Sequence, residues 1–389
     1  MNAPPAPTIF YDARNIRRGM TGVGRYTYNL LAGLAALEEA PPIRAMFLPG
    51  AVEIARRDPA LARVDVVAAM FGHEAHPQTD IWLRWGLSRR LPAGSVYHGP
   101  VFIVPGGRQP FGRVVTVHDL FVFTHPQFFP LKFRAWMRWA IRRACRFSDR
   151  IISVSATVAE QIVERGLAER ARIRVVREAA DATPMLWEHG GGEEMGVEEP
   201  AAGPLIVTVG TRDPHKNPAT ARRACIELAR RWPAGRPPFE WWWIGGTGPL
   251  PDDSSESLRR QAEKAGFRAP GALPSAVVRR ILRRAAVLVS CSHTEGFNLT
   301  LVEAMRAGCA IVASDLPIHR EVAGGTAQFF PATDWAALAG ILLRLLTDEE
   351  ELAAWRRRSA ERAGAFSWER TARETLAVYR EIWRGRGGV

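Results

Sequence analysis

Residues 287–313 read VLVSCSHTEGFNLTLVEAMRAGCAIVA. Two short apolar runs, Val287–Ser290 and Ala310–Ala313, flank a glycine-bearing loop and a stretch of helical spacing. Strands with no polar alternation are buried on both faces, and a helix between two of them makes a parallel crossover. Working outward, similar apolar runs occur at 8–11, 43–48, 96–98, 114–117, 151–154 and 173–176, then at 205–209, 241–244 and 327–330. Strands alternating with helices in two series predict an α/β architecture built twice.

The stretch 187–200, WEHGGGEEMGVEEP, carries four glycines and five glutamates and cannot pack as core, so it reads as a linker. The expected division is residues 1–186, a linker over 187–202, and a second domain over 203–365. From Ser367 the pattern SWERTARETLAVYREIW, in the segment 366–389, is an amphipathic helix that must bury Trp368, Leu376, Tyr379 and Trp383.

A chain of 389 residues with 47% hydrophobic and 24% charged residues has the balance of a soluble globular protein. Its net charge of +12 comes from 52 basic residues of which only Lys132, Lys216 and Lys264 are lysines. The arginines are spread along the chain, so no nucleic-acid partner is expected. Cys145, Cys225, Cys291 and Cys309 lie far apart with no CxxC or Cys/His pair at zinc spacing, so neither a disulfide framework nor a structural metal is indicated, and they read as reduced core thiols. With no bilayer-length apolar run and no secretory signal pattern, a cytoplasmic location is expected.

In the opening stretch, the backbone amides of Asn298, Leu299 and Thr300 fall at a helix N-terminus, which suits a phosphate, and Glu295 and Glu303 bracket them. The plainer alternative makes Thr300-x-x-Glu303 a capping box and Glu295 a solvated loop carboxylate. Lys216, in VGTRDPHKN (209–217) after a strand, is either an exposed loop cation or a phosphate ligand. His118, in VVTVHDL (114–120), ends a buried strand, where a lone histidine is more often a satisfied core residue. Gly22 and Gly24, in GMTGVGRY (19–26) before a helix starting near Arg25, let a backbone approach a ligand, or form a simple turn. Thr27 breaks the dinucleotide-binding fingerprint.

The string EGFNLTLVEAMRAGCAIVASDLPIHREV (295–322) closely resembles the E-x7-E region of GT-B glycosyltransferases, in particular glycosyltransferase family 4. VGTRDPHKN is similar to that family's VGT-x-x-P-R-K-N segment, with Arg212 one place later than the arginine of many relatives. GVGRY and HDL resemble two further family motifs. Weaker matches are Asp12, Arg14, Tyr97-His-Gly-Pro100, Trp243–Gly248 and Phe366–Trp368, so the resemblance covers nearly the whole chain.

The resemblance implies a GT-B fold of two Rossmann-like domains whose parallel sheets face an interdomain cleft. The last helix would cross back to the first domain, which shapes the acceptor site. It implies a retaining hexosyltransferase in which Glu295 contacts donor-sugar hydroxyls, Glu303 the ribose, and Asn298–Thr300 with Lys216 and Arg212 the diphosphate. Gly22 and Gly24 would close over the donor phosphates, and His118, oriented by Asp119, would contact the donor sugar or its phosphate. The donor would be a nucleotide sugar, GDP-mannose first and UDP- or dTDP-sugars next. The acceptor would be a saccharide or lipid-linked saccharide of surface polysaccharide assembly. Asp252-Asp253 has no further ligands, so metal independence is expected. A sugar synthase or phosphorylase of the same fold, and a non-catalytic scaffold, are the alternatives.

Residues 132–147 place Phe133, Trp136, Met137, Ala140, Ala144 and Phe147 on one face and Arg134, Arg138, Arg142 and Arg146 on another. The pattern fits a basic helix on an anionic membrane, and fits better a surface helix with its apolar face in the core. Trp82, Arg84, Trp85, Arg89 and Arg90 form a second aromatic and basic cluster.

Overall fold

The computed structural model describes residues 7–20, 22–70, 86, 91, 94–180, 187, 200–248, 252 and 254–386. The cluster at 82–90 therefore lies outside the described residues, as does most of the expected linker. The chain divides into two compact units: one comprises Met1–Thr124, Pro130–Gly191 and Phe366–Val389, the other His125–Phe129 and Gly192–Ala365. A five-residue piece of the amino-terminal half thus belongs to the second unit.

The first unit holds a seven-stranded sheet in the order β3-β2-β1-β4-β5-β6-β7. Its strands are β1 (Ile9–Asp12), β2 (Ile43–Phe47), β3 (Val64–Ala68), β4 (Val96–Gly99), β5 (Gly112–Val117), β6 (Arg150–Ser153) and β7 (Ile173–Val175). All pairs are parallel, with Ile9 in register with Ile43 on one side and Val96 on the other. Helices α1 (Gly22–Ala36), α2 (Pro49–Arg57), α3 (Leu131–Phe147) and α4 (Ala156–Glu164) connect them. Helix α4 starts where it does because the Ser155 hydroxyl accepts from the Val158 N–H.

In the second unit a parallel six-stranded sheet runs β10-β9-β8-β11-β12-β13. Its strands are β8 (Leu205–Val209), β9 (Glu240–Ile244), β10 (Phe267–Gly271), β11 (Val287–Ser290), β12 (Ala310–Ser314) and β13 (Ala327–Phe330). The helices are α5 (Pro218–Arg231), α6 (Glu256–Lys264), α7 (Ser275–Arg284), α8 (Leu299–Arg306), α9 (Pro317–Ala323), α10 (Trp335–Thr347) and α11 (Glu349–Ala363). Trp241, Trp243 and Phe267 fill the core with Leu228 and Leu342. The Trp241 indole N–H keeps a partner in that apolar setting by donating to Thr208 Oγ1 at 3.0 Å.

The last helix, α12 (Trp368–Gly385), belongs to the first unit and packs against α1 and strands β4 to β6. Trp368, Leu376, Tyr379 and Trp383 all become buried there. Ile382 lies so close to Gly112 that a Cβ at that position would sit 2.3 Å from Ile382 Cγ2, hence the glycine. Tyr379 Oη meets His98 Nδ1 at 2.5 Å, and His98 Nε2 meets Thr116 Oγ1 at 2.9 Å, giving a buried polar chain between helix and sheet. Burial, and then the charge of His118, push the His98 pKa down to about 3.

Three local expectations change. Helix α1 begins at Gly22, so Gly22 and Gly24 lie inside its first turn and not on a loop before it. Trp187, at the first position of the expected linker, is buried, with its indole N–H donating to Asp58 Oδ2 at 2.6 Å. Helix α3 buries Ala140, Ile141, Ala144 and Cys145, all in its second half, and leaves Phe133 and Trp136 exposed.

Candidate functional site

In each sheet the strand order reverses once, between β1 and β4 in the first unit and between β8 and β11 in the second. Connections on the two sides of such a point diverge, leaving a crevice at the carboxyl ends of the strands. In the second unit Lys216, Glu295, Asn298 and Thr300 line a pocket there.

In the second unit two loops leave β8 and β11, and each ends in an asparagine in the left-handed region, Asn217 (φ 60°) and Asn298 (φ 73°). Asparagine tolerates this conformation better than other residues with a Cβ. Asn217 caps α5 and ties the loops together, its amide donating to Cys291 O at 3.2 Å and Ala332 O at 2.7 Å. Asn298 is the N-cap of α8, which removes the capping-box reading: Thr300 lies inside the helix and cannot cap it. The Asn298 amide donates instead to Ser290 Oγ at 3.0 Å and to His319 Nε2 at 2.9 Å. His319 can accept there because its Nδ1–H points at the Ser314 carbonyl, 2.8 Å away. Burial lowers the His319 pKa and favours this neutral form.

Lys216 Nζ donates to Glu295 Oε1 at 2.6 Å, and the Ser292 hydroxyl donates to the same oxygen at 2.6 Å. The Glu295 side chain is 7% exposed and that of Lys216 24%. Burial by itself raises the Glu295 pKa, but Lys216, His319 and the two hydrogen bonds outweigh it, and the carboxyl is held below its usual range. An ammonium has three N–H donors, so the bond to Glu295 leaves others for an anionic ligand. Lys216, Glu295, Asn298 and Thr300 line one pocket together with Ser292 and Trp243. Leu299 opens α8 beside them, and Glu303 lies one turn further along that helix, half-buried.

Arg212 is turned to its own unit: its Nη1–H donates to Gly245 O at 2.8 Å and its backbone N–H to Gly246 O at 3.2 Å, bracing the turn after β9. In that turn a Cβ on Gly248 would fall 2.1 Å from both carboxylate oxygens of Asp213, so a larger residue would have to push that carboxylate aside. Asp252 receives both Nη groups of Arg222 at 2.9 and 2.7 Å, which commits its charge to an internal ion pair.

The segment His125–Phe129 lies over the Lys216 and Glu295 loops. Phe128 stacks on His293 at 5.7 Å and Phe129 on His215 at 6.4 Å, while the His293 N–H donates to His215 O at 2.8 Å. Burial, with the nearby Lys216 charge, lowers the His215 pKa to about 4.

In the first unit, Asp12 at the end of β1 takes Arg14 Nε and Nη2 at 2.8 and 2.6 Å and the Tyr97 hydroxyl at 3.0 Å. His118 follows β5, and Glu178, not Asp119, lies against its ring: Nδ1 is 2.9 Å from Glu178 Oε1, whereas Asp119 Oδ1 accepts from the Phe121 N–H. Nε2 meets the Pro100 carbonyl at 2.8 Å. A carbonyl and a carboxylate both accept, so this geometry favours the ring that carries two protons. Burial opposes that charge, but the hydrogen bond and charge of Glu178, the Pro100 carbonyl and Asp119 outweigh it and the pKa is raised.

Glu178, Ser292, His319 and the 125–129 segment went unread in the sequence. Glu178 stands 60 residues from His118, with nothing local to join them. The doubled aromatic in HPQFF was the one legible signal for that segment.

Comparison with known proteins places both units. The model of Glycosyltransferase Family 4 matches residues 20–183, and that of Glycosyl transferases group 1 matches residues 203–348. The O-antigen chain mannosyltransferase B of Escherichia coli is 23% identical over 96% of this chain and 99% of its own length. The D-inositol 3-phosphate glycosyltransferase of Acidothermus cellulolyticus is 29% identical over 60% of this chain, which spans only 53% of that relative. Among solved structures, Anabaena HepE in complex with UDP and glucose superposes with a TM-score of 0.69 at 14% identity, covering 97% of this chain and 100% of that one. With the two family models falling one on each unit and the fold shared along the length, the chain belongs to the GT-B glycosyltransferases of family 4.

Proposed function

We propose that this glycosyltransferase is a metal-independent, retaining hexosyltransferase. It would move a hexose, mannose first, from a nucleotide sugar to a saccharide or lipid-linked saccharide in surface polysaccharide assembly, at the cytoplasmic side of a membrane. The reading is carried by the pocket that gathers Lys216, Glu295 and the start of α8 at the strand-order reversal. In this reading the Asn298–Thr300 amides and Lys216 hold the diphosphate and stabilise the leaving oxygen, the electrostatic task of glycosyl transfer. Glu295 meets the sugar hydroxyls and Glu303 the ribose. The acceptor hydroxyl attacks the face from which the diphosphate departs, and a departing phosphate oxygen takes its proton.

Mannose ranks first because the relative matched along its whole length is named a mannosyltransferase. The UDP and glucose in HepE keep UDP-sugars next in order. The test is a thermal-shift series with GDP, UDP, dTDP and ADP and their sugar conjugates on the wild type and Lys216→Ala. One nucleotide family should stabilise the wild type by mass action, and the variant should lose that response. No stabilisation at millimolar concentration would move the chain to the non-catalytic scaffold. Activity abolished by a chelator and restored by Mg²⁺ would refute metal independence.

A further inference from the structure

An asparagine at a helix start ordinarily turns its side-chain oxygen back to accept from an amide of the first turn. Two asparagines of the second unit stand at helix starts in the same left-handed conformation, and they use that oxygen differently. Asn217 (φ 60°, ψ 54°) accepts from the Thr220 N–H at 3.3 Å. Asn298 (φ 73°, ψ 68°) makes no such bond to α8. Its amide nitrogen is taken instead by two acceptors, Ser290 Oγ at 3.0 Å and His319 Nε2 at 2.9 Å, which hold the oxygen away from the helix. His319 comes from α9 and is 0% exposed. Its other nitrogen donates to the Ser314 carbonyl at 2.8 Å, and the Ser314 hydroxyl donates in turn to Ser292 O at 2.6 Å. The imidazole is thus anchored to the end of β12 and, through Ser314, to the loop that carries Glu295.

We propose that His319 is a positioning residue for the pocket of Lys216 and Glu295: by accepting from the Asn298 amide it keeps that side chain off the first turn of α8. The backbone N–H groups there then stay open to an anionic ligand. Without His319 the Asn298 amide loses one of its two tethers and is free to rotate, its oxygen caps α8 as the Asn217 oxygen caps α5, and a ligand must displace that bond before it can bind. The inference rests on the reading of this pocket as the diphosphate site and adds to it a residue that touches no ligand.

The test is calorimetric titration of the full chain with GDP-mannose and with UDP-glucose at neutral pH, one of which should bind the wild type. His319→Leu should weaken that binding about tenfold, the scale of one capping hydrogen bond. Asn298→Gly accepts the left-handed backbone and has no side chain to cap with, so it should bind within about threefold of wild type. The double variant Asn298→Gly/His319→Leu should return to the affinity of Asn298→Gly, a recovery that a role of His319 in folding alone would not produce. His319→Gln, whose amide oxygen reaches the place of Nε2, should also bind within about threefold of wild type, and it decides the matter if His319→Leu does not fold. Wild-type binding by His319→Leu, a double variant as weak as His319→Leu, or a glutamine variant that loses binding would overturn the proposal while the wild type still binds. Binding of neither sugar nucleotide by the wild type would refute the transferase reading itself, and the role of His319 with it.

Discussion

Glu178→Gln isolates the charge of His118. In the wild type the His118 ring is fixed between two acceptors, 2.9 Å from Glu178 Oε1 and 2.8 Å from Pro100 O, with side chains only 14% and 5% exposed for His118 and Glu178. A glutamine amide can donate to a neutral Nδ1, so the substitution keeps the hydrogen bond and removes the reason for the second proton. A histidine whose folded pKa is raised adds stability below its unfolded value, about 6.5, and loses it as pH rises through the folded value. In Glu178→Gln burial dominates, the folded pKa falls below the unfolded one, and stability is instead lost as pH drops. The variant should therefore be weaker by about 2 kcal/mol near pH 5.5, the scale of a charge-assisted hydrogen bond, and by much less near pH 8.5. Urea unfolding at both pH values measures the difference, and the imidazole NMR signals of His118 report its protonation directly. A penalty independent of pH, or a His118 signal that titrates alike in both proteins, would refute the doubly protonated ring.

Three further outcomes are expected. Gly248→Ala should destabilise the second unit by about 1–3 kcal/mol and weaken its nucleotide response, since the new methyl meets the Asp213 carboxylate; calorimetry with and without nucleotide checks both. Arg222→Met leaves the nearly buried Asp252 carboxylate without its guanidinium and should cost about 3–5 kcal/mol in denaturant unfolding, whereas Arg222→Met/Asp252→Leu should recover much of that. Burial pushes the thiols of Cys145, Cys225 and Cys309 up to about 12, so a thiol reagent should label the native protein slowly at neutral pH and rapidly in urea.

Sequence and structure part company where side chains act across the fold. Strands buried on both faces, such as β8 and β11, stood out as apolar runs. The two strands that did not, β3 and β10, form sheet edges: VDVVA carries an exposed Asp65, and FRAPG contains Arg268 and Pro270, so neither is a continuous apolar stretch. In the candidate site, Lys216, Glu295, Asn298 and Thr300 were legible because loop and helix start are written contiguously. Their supports, Ser292 and His319, were not, since a hydroxyl or a buried imidazole acquires its meaning only from the atom it faces. Helix α3 misled because its periodicity fits a core-facing stripe, while its buried residues all fall in its second half.

The return of α12 to the first unit bears on how the protein is made. His98 and its partner Tyr379 are 281 positions apart, and the second unit is translated between them. While the ribosome is still delivering residues 192–365, β4 to β6 wait with an uncovered apolar flank and a histidine whose hydroxyl partner has yet to emerge. The second unit can complete its fold first, although it is synthesised later. A nascent chain stalled before Phe366 would present that flank to chaperones and proteases, and shortened transcripts would yield an unstable first half beside an intact second one.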